Sequence, residues 1–218
     1  MQALRHSHVI DDGASYCVVG HTQGDTMLER LPSSVGHALR NVRPGLDKIL
    51  LHDPALAGVG SLVVHSRAFA YGAPLPTRYT ADGDGLSPPI QWLDVPDATR
   101  SVAVVIEDAD SPTPRPLVHG IVWNLPGEDG VLGEGVLNAM ATTGSPDLGR
   151  NSYLQHAYLP PDPPPGHGAH HYAFQVFALD CAPERGEAPG RSRLLDLLRG
   201  HTLASGLLIG TYQRDRPS

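Results

Sequence analysis

Cysteine, lysine and aromatic residues are scarce in this chain of 218 residues: two cysteines, one lysine (Lys48) and 6% Phe, Trp and Tyr together. Cys17 and Cys181 stand far apart and in no C-x-x-C spacing, which excludes the dense disulfide framework of a small secreted module. A reducing compartment fits, and a cytoplasmic protein is expected. No apolar run approaches the ~20 residues that span a bilayer. Met1 to Asp12 carries charges and histidines where a signal peptide needs its hydrophobic stretch. Positive charge is short as well, 16 Lys plus Arg against 23 Asp plus Glu for a net −7. That balance offers no basic field for a nucleic-acid backbone, so no nucleic-acid partner is expected. The G-x-S-x-G, G-x-x-x-x-G-K-[ST], H-E-x-x-H and G-x-G-x-x-G signatures are all missing, which disfavours a standard hydrolase or nucleotide site.

What is abundant is glycine (24) and proline (21), which cut the chain into short segments and favour strands and structured loops over long helices. Runs that read as strands are Ser61 to His65, Ile90 to Trp92, Ser101 to Ile106, Val118 to Leu125, Tyr172 to Leu179 and Gly206 to Tyr212. Ser101 to Ile106 and Tyr172 to Leu179 are apolar on both faces, so they are predicted to be central strands covered on both sides. Trp92 and Trp123 sit in apolar, strand-like settings and read as core. Helical spacing wins at Arg191 to Ser205, closed by Gly206, and in a stripe from Thr26 to His52. Pro32 and Pro44 interrupt that stripe, which predicts two short amphipathic helices with a joint at Arg43 to Gly45. Packing or self-association is the expected use of the stripe, giving a homodimer. Its slight excess of positive charge also allows transient contact with a membrane surface.

Polar and titratable residues gather beside the two apolar strands. Glu107, Asp108, Asp110, Ser111 and Pro112 follow the first, His119 begins the next, and His170, His171 and Tyr172 enter the long strand after a proline-rich loop. If these strand ends adjoin, Asp108, Asp110, His119, His170 and Tyr172 line one small pocket. Alternation along a strand puts His170 and Tyr172 on one face and His171 on the other. Imidazole and phenol groups donate to an anion's oxygens, while a carboxylate fixes a histidine tautomer or accepts from an ammonium group. Phosphomonoesters and zwitterionic headgroups suit that set. No metal is expected, because these side chains lack compact zinc spacing and a thiolate. His167, between Gly166 and Gly168, reads as a solvent-exposed loop residue.

Three segments, in order, carry a resemblance. Asp82, Gly83, Ser87, Pro88, Pro89, Trp92 and Pro96 form the first. Asp108, Ala109, Asp110, Ser111 and Pro112, followed by His119 and Asn124, form the second, and Pro163, Pro164, Gly166, His170, His171 and Tyr172 the third. They resemble the phosphatidylethanolamine-binding proteins, and among these the bacterial Raf kinase inhibitor-like branch. The resemblance covers Ser61 to Gln213 and implies a mainly β fold of two antiparallel sheets with Greek-key connections and a short C-terminal helix. It leaves 1–60 as an N-terminal extension bearing the short helices and 214–218 as a tail.

It further implies a non-enzymatic binding protein, without cofactor or metal, whose pocket accepts phosphate, phosphoethanolamine-like or carboxylate groups. Asp108, Asp110, His119, His170 and Tyr172 correspond to pocket residues, with Pro112 and Pro164 as walls. Ala109, Gly120 and His171 depart from the family pattern, Gly120 at a place that would widen the mouth. Two other roles use the same residues differently: a kinase or protease inhibitor acting through loops at Arg115 and His167, and a hydrolase or isomerase using Asp108 and His119 as acid and base.

Overall fold

The two runs that are apolar on both faces become the centre of the molecule. In a computed structural model, which describes residues 38–39, 41–138, 146–183 and 188–214, nine strands form two sheets. The strands are β1 (Gly60–Ser61), β2 (Val63–His65), β3 (Ile90–Leu93), β4 (Ser101–Asp108), β5 (Leu117–Pro126), β6 (Gly130–Leu132), β7 (Asp147–Leu148), β8 (His170–Leu179) and β9 (Thr202–Tyr212). The larger sheet has the order β1-β9-β8-β4-β5-β7 and the smaller β2-β3-β6. All pairings are antiparallel except β1 with β9 at one edge. The fold is therefore the expected mainly β arrangement of two sheets.

Alternation along β4 divides its side chains between two cores. Val102, Val104 and Ile106 face the smaller sheet with Phe174, Val176, Ile90 and Trp92. Ala103 and Val105 face the other way, towards Phe177, Leu50, Leu56 and the helix α1 (Arg191–Leu198). In α1, Leu194 and Leu198 lie one turn apart and are fully buried, each worth roughly 2 kcal/mol of burial. A large sheet covered on both faces is what the unbroken apolar runs required. Trp92 and Trp123 are buried as expected, and Trp92 Nε1 donates to Glu128 O at 2.9 Å.

Several sequence expectations are corrected. The helix predicted from Arg191 to Ser205 ends at Leu198; Gly200 turns the chain at φ 83°, and Leu203 and Gly206 belong to β9. Ser61 to His65 is two strands rather than one, because the chain passes from the large sheet to the small one at Leu62, whose N–H donates to Ser205 O. The helix predicted after Pro44 is replaced by short 3-10 turns, Leu46–Lys48 and Leu50–His52. There the N–H groups of Leu50 and Leu51 are taken by the side chains of Glu107 and Gln175, at 2.8 and 2.7 Å, in place of helical carbonyls. The helix predicted before Arg43 falls mainly outside the described residues. Among the described residues no helix is long and apolar enough to cross a membrane.

Candidate functional site

Antiparallel pairing brings three sequence-distant segments to one edge. β4 lies between β5 and β8, so Asp108 is the register partner of both Leu117 and Tyr172. His119 is two residues into β5, and His170 opens β8. Over these strand ends lies a cavity of about 350 Å³. Asp108, Ser111, His119, Asp162 and His170 contribute its polar walls; Pro112, Pro160, Pro163 and Pro164 contribute stiff apolar ones. Of the seven expected residues, Asp108, Pro112, His119, Pro164 and His170 line the cavity.

Tyr172 and Asp110 are placed differently. Tyr172 is 1% exposed and lies against the site's imidazoles, edge-on to His119 at 5.2 Å between centroids and stacked with His170 at 6.3 Å. Asp110 turns away from the cavity. Its Oδ1 accepts from Arg43 Nη1 at 2.8 Å, and its Oδ2 accepts from the backbone N–H of His171 and contacts His171 Nδ1, both at 2.7 Å. Burial would raise the Asp110 carboxyl, but the bonds from Arg43 and His171 outweigh it and hold the group below its ordinary value. His171 points to the opposite face from His170 and Tyr172, as alternation requires. Gly120 does not line the cavity; a side chain there would meet Ile106 and Leu137 at 3.8 Å, an ordinary contact.

His167 is the largest correction. It is fully buried, not solvent-exposed, and extends the site by one more imidazole. Asp108 Oδ2 contacts His170 Nδ1 at 2.8 Å, His170 Nε2 contacts His167 Nδ1 at 2.7 Å, and His167 Nε2 donates to Leu39 O at 2.8 Å. The two end acceptors each need an N–H, and the central N···N contact needs one more proton. Each of the three contacts therefore holds one proton. Burial pushes His167 down from its ordinary range, which favours its neutral form. The only sequence cue to His167 was its place between two glycines, which reads as exposure; its partner, Leu39 O, is a backbone atom 128 residues away. Arg43 fastens the same loop, donating to His167 O and Ala169 O at 2.5 and 2.7 Å.

His119 is different from the other two imidazoles. Its Nδ1–H donates to Leu159 O at 2.6 Å, and its Nε2 is buried without a hydrogen-bond partner. Burial pushes this histidine below its ordinary range more than the charges of Asp108 and Asp162 pull it up. The Tyr172 hydroxyl is likewise buried and unpartnered, and burial, then Asp108, holds it well above the usual phenol value. It stays a donor at any physiological pH. Unpaired buried polar atoms cost about 1–3 kcal/mol each, so two on neighbouring rings beside one cavity call for an explanation. The Asp82–Gly83 and Ser87 motifs do structural work instead. Asp82 accepts from Tyr212 and Arg214, and Ser87 Oγ accepts from Leu137 N.

A mainly β fold whose large sheet is covered on both faces, with a polar cavity at its strand ends, matches known proteins. Residues 65–213 match the family model for phosphatidylethanolamine-binding protein. The UPF0098 protein of Aquifex aeolicus is 37% identical over 161 residues, covering 73% of this chain and 92% of that protein. The UPF0098 protein of Chlamydia muridarum is 36% identical over 154 residues, covering 69% and 97%. The crystal structure of a putative phosphatidylethanolamine-binding protein homologue from Chlamydia trachomatis superposes with a TM-score of 0.64 at 34% identity, covering 72% of this chain and 99% of that one. Escherichia coli YbcL, described as a new member of the mammalian family, gives 0.64 at 25% identity, covering 71% and 99%. This chain belongs to the phosphatidylethanolamine-binding protein family, and its bacterial relatives are among the matches.

Proposed function

We propose that this protein is a non-enzymatic binding protein whose cavity holds one small phosphorylated or carboxylated group, either free or as the headgroup of a larger molecule. The observation that carries this reading is the pair of unpartnered buried polar atoms, His119 Nε2 and Tyr172 Oη, on rings 5.2 Å apart beside a 350 Å³ cavity. A ligand of a few heavy atoms fits that volume, with His119 in its wall and Tyr172 packed directly against His119 and His170. Asp108 and His170 are already bonded to each other, so they act as a fixed dipolar wall. Pro112 and Pro164 keep the walls stiff, which lowers the ordering cost of binding. Among the described residues no lysine or arginine lines the cavity, so affinity is expected to be modest. NMR titration of the full chain with inorganic phosphate and phosphoethanolamine tests this. Signals from His119, His170 and Tyr172 should move together and saturate at millimolar ligand; spectra unchanged at those sites refute the reading.

A further inference from the structure

An anion site usually shows lysines or arginines, and among the described residues none lines this cavity. Its ionisable side chains are Asp108, His119, Asp162, His170 and Tyr153. Asp108 is matched by the His167–His170 pair and Asp162 by Arg214, so neither carboxylate leaves a spare positive charge for a ligand. Four of the lining residues are prolines, which have no backbone N–H to offer. Both ring nitrogens of His170 are committed, to Asp108 and to His167. The one free imidazole nitrogen is His119 Nε2, and the Nδ1–H bond to Leu159 O leaves it as a lone pair. An oxyanion without hydrogen brings a second lone pair to that point.

We propose that the cavity selects ligands that bring a hydrogen-bond donor to His119 Nε2, such as the O–H of a singly protonated phosphoryl or carboxyl group, and that an oxyanion lacking a proton binds only when His119 takes one up. This inference rests on the reading of the cavity given above and narrows its ligand class. The groups facing His119 are Asp108 from the end of β4, His170 and Tyr172 from β8, and Asp162 from the loop before β8. Asp108 and Asp162 favour an imidazolium there, and His170 opposes it. Burial opposes it most, which is why the proton arrives with the ligand rather than before it.

Sulfate and phosphate separate the two cases, being of similar size and shape while only phosphate carries O–H near neutral pH. Isothermal titration of the full chain from pH 6 to pH 8, in two buffers of different ionisation enthalpy, reads both affinity and proton uptake. Phosphate should bind at least tenfold more tightly than sulfate at pH 7. Sulfate should take up one proton per ion and weaken about tenfold per pH unit. His119→Gln, whose amide can donate, should bring the two affinities within about threefold; should that variant fail to fold, the wild-type pH series still decides. Sulfate affinity that is flat from pH 6 to pH 8 without proton uptake overturns the inference and leaves the anion reading standing. Failure of both ions to bind at millimolar concentration overturns the anion reading itself.

Discussion

Tyr172→Phe removes one hydroxyl and separates stability from binding. In the free protein that hydroxyl is buried and unpartnered, so its loss relieves a desolvation cost of about 1 kcal/mol and opens only a small void. The expected change in unfolding free energy lies between zero and a gain of about 1 kcal/mol, a rise in Tm of up to about 3 °C for a domain of this size. With phosphate the sign reverses. At ten times its Kd, a ligand binding only the folded state adds about 1.4 kcal/mol. A lost hydrogen bond to a charged group weakens binding about tenfold, which reduces that gain to about 0.4 kcal/mol. Differential scanning calorimetry with and without phosphate at pH 6 reads both effects. A variant that is less stable than wild type by 1 kcal/mol or more would mean that the hydroxyl has a structural partner. A phosphate-induced Tm shift equal to that of wild type would mean that it does not touch the ligand. Either result refutes the reasoning.

Other predictions follow from the bonds around the site. Glu107, with no solvent exposure, accepts from Leu50 N, Gln175 Nε2 and Arg191 Nε at 2.6–2.8 Å. Glu107→Ala should cost about 3–5 kcal/mol in urea unfolding, since three donors lose one acceptor; a loss under 1 kcal/mol contradicts the network. Arg43→Ala should speed amide exchange from Gly166 to His171 at least tenfold while the centre of β4 is unchanged, and equal exchange in both proteins would show that the arginine does not fasten the loop. Burial keeps His119 and His167 below the ordinary histidine value in the folded state. The unfolded chain therefore binds protons first as pH falls through ~6.5, and stability drops from there towards the depressed folded values, at up to about 1.4 kcal/mol per pH unit for each group. Urea unfolding at pH 7.5 and 5.5 should show the loss; equal or greater stability at pH 5.5 contradicts it.

How much of this was legible in the sequence depended on how local the signal was. β4 and β8 declared themselves, because a strand covered on both faces has no polar alternation to hide it. His170 and Tyr172 were separated from His171 by the two-residue period alone. Helix ends were read less well. The leucines of Arg191 to Ser205 keep helical spacing into β9, and only Gly200 marks the break. Near Pro44 the pattern was helical, yet Glu107 and Gln175 compete for the very N–H groups a helix would use. The burial of His167 and the turning away of Asp110 depend on Leu39 and Arg43, whose proximity nothing in a linear pattern reveals.

The central claim is that one small acid occupies the cavity against His119 and Tyr172. A crystal structure of the full chain grown at pH 6 and soaked in phosphate tests it most directly. The account predicts a phosphate with oxygens within hydrogen-bonding distance of both His119 Nε2 and the Tyr172 hydroxyl. A saturating soak that leaves both atoms without a phosphate contact, with the ion bound elsewhere or not at all, contradicts it.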